Sequence, residues 1–251
     1  MQNYVLEVCV DSVESAVNAM KGGADRLELC SNLIIGGTTP TAALFRSVKQ
    51  HAPVRTNVLI RPRFGDFLYT EYEFEIIKQE VEQFRELGAD GVVIGCLKAD
   101  GELDVDRLDQ LKQAAGSMNV TLHRAFDVCR DPFEALEQVR SLGIDTILTS
   151  GQQNSCSQGA QLIKELVDRA GEVQILVGSG VKSSIIPQMA DMTGASSFHL
   201  SGKMVLDSGM EFRREGVDMG IEGIGEFQIF RTGEEEIRAA KAALMQVKER
   251  R

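Results

Sequence analysis

Gly23-Ala-Asp-Arg-Leu-Glu-Leu29, Gly88-Ala-Asp-Gly-Val-Val-Ile94, Gly143-Ile-Asp-Thr-Ile-Leu-Thr149 and Gly194-Ala-Ser-Ser-Phe-His-Leu200 are four versions of one phrase. Each opens on a glycine of the kind that ends a helix through a left-handed backbone. Each closes on a short run suited to a strand. Working outward, strand-like runs alternate with helix-like segments from end to end: Val5–Val10, Arg26–Leu29, Asn57–Ile60, Gly91–Ile94, Val120–His123, Thr146–Thr149, Val173–Val177 and Ser197–Leu200. Such alternation predicts βαβ units and a parallel sheet. The phrase precedes only the even-numbered strands. A twofold alternation repeated four times fits a closed eight-strand barrel, whose interior layers come from alternate strands. An open doubly wound sheet offers no reason for it. The expected fold is α/β, a (β/α)8 TIM barrel, forming one domain over residues 1–251.

The length of 251 residues agrees, since such barrels typically run to roughly 250. Asp11 with Glu14, Thr70 with Glu73, and Asp131 with Glu134 read as capping boxes. Thr39-Pro40 and Asp131-Pro132 place proline at a first helical position, where its missing N–H costs nothing. The tail departs from the rhythm. It reads as a long loop over 202–230, rich in glycine and methionine, followed by a helix near 233–249.

A net charge of −10 argues against nucleic acid, which needs a basic face. The first ten residues carry no basic region and no long apolar run, so no secretory signal is expected. No apolar stretch is long enough for a membrane span. The expected location is cytoplasmic. Five cysteines (Cys9, Cys30, Cys96, Cys129 and Cys156) are an odd number without a CxxC pair, which argues against a disulfide framework or a zinc site.

Buried parallel strands usually read as continuous apolar runs, and several here do not. Leu6, Val8 and Val10 alternate with Glu7 and Cys9; Leu27 and Leu29 alternate with Arg26, Glu28 and Cys30. Arg61, His123 and His199 fall on the same alternation in later strands. If the apolar set faces the helices, the polar set faces the barrel axis. Charges there are costly unless paired. They form either an ion-pair network that fills the barrel or a site at the carboxyl ends of the strands, where barrel enzymes place their chemistry. Glu7 and Glu28 on neighbouring strands at matching height would not both ionise freely. That pair suits an acid–base couple or a hard-cation site. His123 and His199 are candidates for proton transfer or metal ligation.

Glycine turns follow the later strands: Thr149-Ser150-Gly151, Gly178-Ser-Gly180, and Ser201-Gly202 before Lys203. Loops after strands seven and eight are the usual phosphate seat of such barrels. The turns therefore predict an anion or phosphate site, with ordinary turn chemistry as the alternative. Cys9 and Cys30 occupy corresponding strand ends. As thiolates they would suit Cu(I); as thiols they are small buried hydrophobes.

The stretches Leu6-Glu-Val-Cys-Val-Asp-Ser-Val-Glu-Ser-Ala16, Gly22-Gly-Ala-Asp-Arg-Leu-Glu-Leu-Cys-Ser31, Gly36-Gly-Thr-Thr-Pro40, Ile60-Arg-Pro-Arg63, Gly65-Asp-Phe67, His123-Arg-Ala-Phe-Asp127 and Leu148-Thr-Ser-Gly151 resemble the CutC copper-homeostasis family. Phe198-His199 and Asp207-Ser-Gly-Met210 continue the resemblance, which spans nearly the whole chain. It implies a TIM barrel, a cytoplasmic location, a homo-oligomer (dimer or tetramer), and copper handling with Cu(I) on Cys9 and Cys30. Gly178-Ser-Gly180 departs from the run of glycines the family often shows there. The residues also allow a barrel enzyme for a small, phosphorylated metabolite. Glu7, Glu28, Arg61, His123, Arg124, Asp127 and His199 would then serve proton transfer and binding. No lysine lies within a candidate strand, which argues against a Schiff-base route. An oligomeric scaffold without chemistry is the third alternative, since fold does not fix function.

Overall fold

A computed structural model describes residues 4–214, 216, 217, 220 and 223–251. Strands β1 (Val5–Val10), β2 (Arg26–Leu29), β3 (Arg55–Leu59), β4 (Gly91–Ile94), β5 (Asn119–Leu122), β6 (Thr146–Thr149), β7 (Gln174–Val177) and β8 (Ser197–Leu200) form a closed parallel barrel in chain order. Pairing of β8 with β1 closes it. Around the barrel lie α1 (Val13–Gly22), α2 (Ala42–His51), α3 (Glu71–Glu86), α4 (Val105–Ala115), α5 (Pro132–Ser141), α6 (Ala160–Arg169), α7 (Ile186–Thr193) and α8 (Glu234–Arg250). The expected barrel is therefore what the chain forms. Three strand bounds differ by a residue or two. At β3 and β5 the ladder also continues past the strand ends, through Ile60 N–H to Val93 O and His123 N–H to Ile94 O.

The repeated phrase has a structural cause. Its glycines adopt φ of 93°, 82°, 64° and 79°, which terminates the preceding helix. Its aspartates then do a second job. Asp25, Asp90 and Asp145 each accept the N–H that opens the preceding odd strand, at Leu6, Thr56 and Val120, at 2.8–2.9 Å. Each also meets a lysine of the helix that packs before that strand: Lys241, Lys49 and Lys112. The fourth copy has Ser196 in this place; its backbone carbonyl takes the N–H of Val5, at the start of the next strand, as those of Asp90 and Asp145 take Asn119 and Gln174 N–H. The phrase is thus a recurring bolt at the amino end of the barrel.

Thr70 and Glu73 form the expected capping box, and Asp131 caps α5 with Pro132 in its first turn. Two expected starts are corrected. Ser12, not Asp11, caps α1, because its hydroxyl reaches Ser15 N–H. Thr41, not Thr39, caps α2, which leaves Pro40 ahead of the helix. The tail is corrected as well. The stretch read as a long loop contains an antiparallel hairpin, β9 (Lys203–Asp207) and β10 (Gln228–Thr232). It leaves Met204, Val205 and Ile229 exposed. Positions 215, 218, 219, 221 and 222 of that stretch lie outside the described residues.

Alternation sorts the side chains as expected. Leu6, Val8, Val10, Leu27, Leu29, Val58 and Ile60 join the main core against the helices. Cys30, Leu59 and Val93 make a separate small cluster. Polar residues on the same alternation, Glu7, Arg26, Glu28 and Asn57, are buried too.

The aspartate bolt can be tested at Asp90, whose acceptor serves the fully buried Thr56. Asp90→Ala strands that N–H and should cost about 1–3 kcal/mol. Asp90→Asn keeps an acceptor oxygen and loses only the Lys49 pair, which is about one-third exposed on both sides and is worth under ~1 kcal/mol. Urea unfolding of the two variants separates these terms. Equal losses would show that the charge, not the amide contact, holds the strand.

Candidate functional site

Glu7 lies fully buried, level with Arg26 on β2 and His199 on β8. Arg26 Nε donates to Glu7 Oε2, and His199 Nδ1 lies 2.8 Å from Glu7 Oε1. Burial alone would favour a neutral acid. The Arg26 charge and the His199 contact overcome it and bring the Glu7 pKa down to about 2. Burial likewise works against a charged His199, yet Cys9, Glu28 and Glu7 around it raise its pKa well above the ordinary value. A cation, an anion and a second cation therefore share one layer.

One inward step along the strands, Cys9 stands level with Glu28, and Glu28 with Asn57. The expected matching height of Glu7 and Glu28 is thus corrected by the stagger that closure of a barrel imposes. Their ligand oxygens still lie within 4.8 Å of each other and of a His199 nitrogen. Glu28 Oε2 is buried and has no hydrogen-bond partner. Burial raises its pKa to about 7; His199 and Arg26 pull against this and Glu7 adds to it. Two carboxylates and an imidazole are a donor set that suits a transition-metal ion rather than a hard, all-oxygen one. Both Glu7 oxygens, however, are already engaged by Arg26 and His199, which fits an ion-pair cluster better.

Above this layer a cavity of about 390 Å³ opens at the carboxyl ends of the strands. Cys9, Glu28, Arg61, His123, Arg124, Asp127 and His199 all line it. A second cavity, of about 570 Å³, opens at the amino end around Arg26, Arg55 and Asn119. Barrel chemistry belongs to the carboxyl end, and six of the seven expected catalytic residues line the cavity there. Glu7 lies beneath it.

Arg61 is buried without an ion-pair partner among the described residues. Its Nη groups donate to the carbonyls of Gly37 and Gly65, and Nε has no partner. His123 precedes a short 3-10 turn and accepts Ala125 N–H on Nδ1 at 3.1 Å. Its proton therefore sits on Nε2, which also has no partner. Burial, then the neighbouring Arg61, lowers the His123 pKa to about 3, so the ring stays neutral. Phe67 packs on both, with its ring 5.1 Å from the Arg61 guanidinium and 4.7 Å from the His123 ring. Gly95 is required beneath His123, because a Cβ there would collide with the imidazole.

The glycine turns do not form the expected open seat. Asp127 accepts from Thr149 Oγ1, Ser150 N–H, Ser150 Oγ and Gln152 N–H. It also pairs with Arg124 at 2.7 Å. Gly151 N–H turns to Thr149 Oγ1, and Gly178 N–H to Thr149 O. Ahead of α7, Glu236 accepts Ser183 N–H and Oγ. Gly180 is an exposed left-handed turn residue. The carbonyls of Ser201 and Gly202 accept from Thr232 and Gly233, anchoring the hairpin. Of the donors read as an anion site, Thr149 and Ser150 thus serve Asp127, and the Gly151 and Gly178 N–H groups serve Thr149.

The cysteines differ. Cys9 lines the cavity and hydrogen-bonds His199. Cys30 is fully buried, and its thiol points to Val10 O at 3.5 Å. Burial, then Cys9 and nearby carboxylates, holds its pKa well above the usual thiol range. Sequence reasoning missed Asn57, Phe67 and Gly95. Asn57 was readable from the inward alternation. Gly95 was not, because a close approach leaves no local signal.

The profile of the CutC family matches residues 4–204. This chain belongs to the CutC family. A CutC family protein of Bacteroides fragilis is 49% identical over 224 residues, covering 88% of each chain. The human copper homeostasis protein cutC homolog is 44% identical over 218 residues, covering 86% of this chain and 80% of its own. The crystal structure of CutC from Streptococcus agalactiae superposes with a TM-score of 0.76 at 29% identity, covering 79% of this chain and 99% of that one. The CutC family match ends within β9, so the rest of the hairpin and α8 lie beyond it. Among the described residues, no helix is long and apolar enough to cross a membrane.

Glu28 supplies a stability test. Its folded pKa of about 7 exceeds the roughly 4.3 of an unfolded glutamate. Between those values the folded state binds more protons, so stability falls as pH rises through the window. Glu28→Gln removes that dependence. It should match the parent near pH 4 and exceed it at pH 8 by roughly 1–3 kcal/mol, read from thermal melts across pH. A constant difference across pH would mean Glu28 does not titrate in this window.

Proposed function

We propose that the protein is a barrel enzyme acting on a small anionic metabolite by acid–base chemistry at the carboxyl end. Glu28 gives and takes the proton. The observation that carries this is its buried, unpartnered oxygen beside the cavity, on a carboxyl group balanced near neutral pH, where general acid–base catalysis is most effective. Arg61 supplies uncompensated positive charge, and neutral His123 supplies a donor that does not compete for the proton. Glu7, Arg26 and His199 hold the field around Glu28. Arg124 and Asp127 position the β6 turn at the rim.

The reaction is read as proton abstraction or an aldol-type step. In heavy water, candidate small oxo and hydroxy acids and sugar phosphates should gain deuterium at carbon in the presence of the protein, followed by NMR. Glu28→Gln should slow that exchange by about 10²–10⁴. No exchange on any candidate, or exchange indifferent to Glu28→Gln, would defeat the reading.

A second reading is Cu(I) held by Cys9 and Cys30. It is favoured by the place of Cys9 in the cavity wall, with Cys30 on the adjacent strand, and by the copper homeostasis names of the human and mouse relatives. Binding would require Cys30 to release its proton and its contact with Val10. The location in this reading is the cytoplasm, where unpaired thiols persist. Competition with a Cu(I) chelator should show one tight site, lost in Cys9→Ser/Cys30→Ser. Unchanged affinity in that double variant counts against it.

A further inference from the structure

Arg61 and His123 are the clearest unmet recognition elements of the cavity. Both are more than nine-tenths buried, at 8% and 4% exposure. Each brings one unpartnered N–H, on Nε and Nε2. One belongs to a fixed cation and the other to a neutral ring. Arg61 is held from the side of its Nη groups by the carbonyls of Gly37 and Gly65, so its position is set before any ligand arrives. His123 is fixed in the same sense by Ala125 N–H and by the Gly95 surface beneath it.

The alternative anion is a phosphate ester, and the fold argues against it. The β6 turn that would cradle a phosphate already encloses the Asp127 carboxylate through four donors. The approach to α7 holds the Glu236 carboxylate. A phosphate dianion brought to that side would find those donors already engaged. What remains without a partner is the Arg61 cation and the neutral His123 donor, beside apolar walls from Leu59, Phe67 and Leu148; of the other charged lining, Arg124 is paired with Asp127 and His199 lies among Glu7 and Glu28. A cavity of about 390 Å³ is at the small end for ligand sites. Because both side chains pack on Phe67, a ligand that matches offers one charged oxygen to Arg61 and a neighbouring oxygen to His123 that is uncharged or gains charge only in reaction.

We infer that this site takes a small planar carboxylate of the 2-oxo or 2-hydroxy acid class, its oxygens received by Arg61 Nε–H and His123 Nε2–H. This rests on the reading of the cavity as a ligand site and replaces the phosphorylated metabolite expected from the glycine turns. Glu28 lines the same cavity, so its ionisation opposes the bound carboxylate, but it is not the group that receives the ligand's oxygens.

Oxalate, a planar mimic of such ligands, and inorganic phosphate serve as probes in calorimetry at pH 7.5. Oxalate should bind at least tenfold more tightly than phosphate. His123→Asn keeps an oxygen to accept Ala125 N–H and removes the Nε2 donor; it should weaken oxalate at least tenfold. In the unmutated protein, ¹⁵N-labelled at histidine, oxalate should shift the His123 Nε2–H resonance, a readout independent of whether the variant folds. Phosphate binding as tightly as oxalate overturns the inference. So does oxalate binding that leaves both the His123 resonance and the variant's affinity unchanged, or no binding of oxalate at all. Loss of this inference alongside Glu28-dependent deuterium exchange leaves the proton-transfer reading standing. Oxalate bound through His123 with no exchange on any candidate removes that reading alone.

Discussion

A carboxylate buried at the barrel axis is the constraint around which the interior is arranged. Glu7 has no exposure and stands on β1, the strand through which the barrel closes. Isolated, such a charge would cost several kcal/mol. Arg26 from β2 and His199 from β8 meet its two oxygens. The ion cluster therefore spans the first, second and last strands, and it can form only when the barrel is shut. Removing one member leaves an uncompensated charge, which is why these three positions are fixed together.

That cluster sets the electrostatics one step above it. Glu28 is pulled toward ionisation by His199 and Arg26 and pushed away from it by burial and by Glu7. The opposing influences leave it balanced near neutrality rather than locked in one state. His123, farther around the barrel, has no such anion beside it and faces Arg61 instead, so it stays neutral. Three buried titratable side chains in one small interior thus reach three different conditions: Glu7 ionised, Glu28 poised, His123 uncharged. Such divergence is the pattern from which acid and base roles are drawn in catalytic sites.

Much of this was legible in the sequence. Period-two alternation assigned Glu7, Arg26, Glu28 and His199 to the axis, and the fourfold phrase gave the closed barrel. Register was not legible, because the stagger belongs to the closed sheet and to no single strand; Glu7 and Glu28 therefore looked level when Glu28 in fact stands beside Cys9. The β6 turn misled for a different reason. A cradle of N–H groups has the same local sequence whether its anion comes from outside or from Asp127, 22 residues earlier in the chain. The hairpin was invisible because β9 and β10 pair only with each other and lack the apolar alternation that a core imposes.

The copper and acid–base readings meet in the same few side chains. Cys9 touches His199, and His199 touches Glu7. A Cu(I) ion between two thiolates would leave a net negative charge at the rim of this cluster. That charge would favour the protonated forms of both His199 and Glu28. Glu28 would then hold its proton and could not accept another. Occupancy of the cysteines and use of Glu28 as a base are therefore opposed by electrostatics, although no atom need be shared between them. The neutral His123 and the fixed Arg61 lie on β5 and β3 sides of the cavity, away from the cysteines' strands, and their donors would remain available in either state.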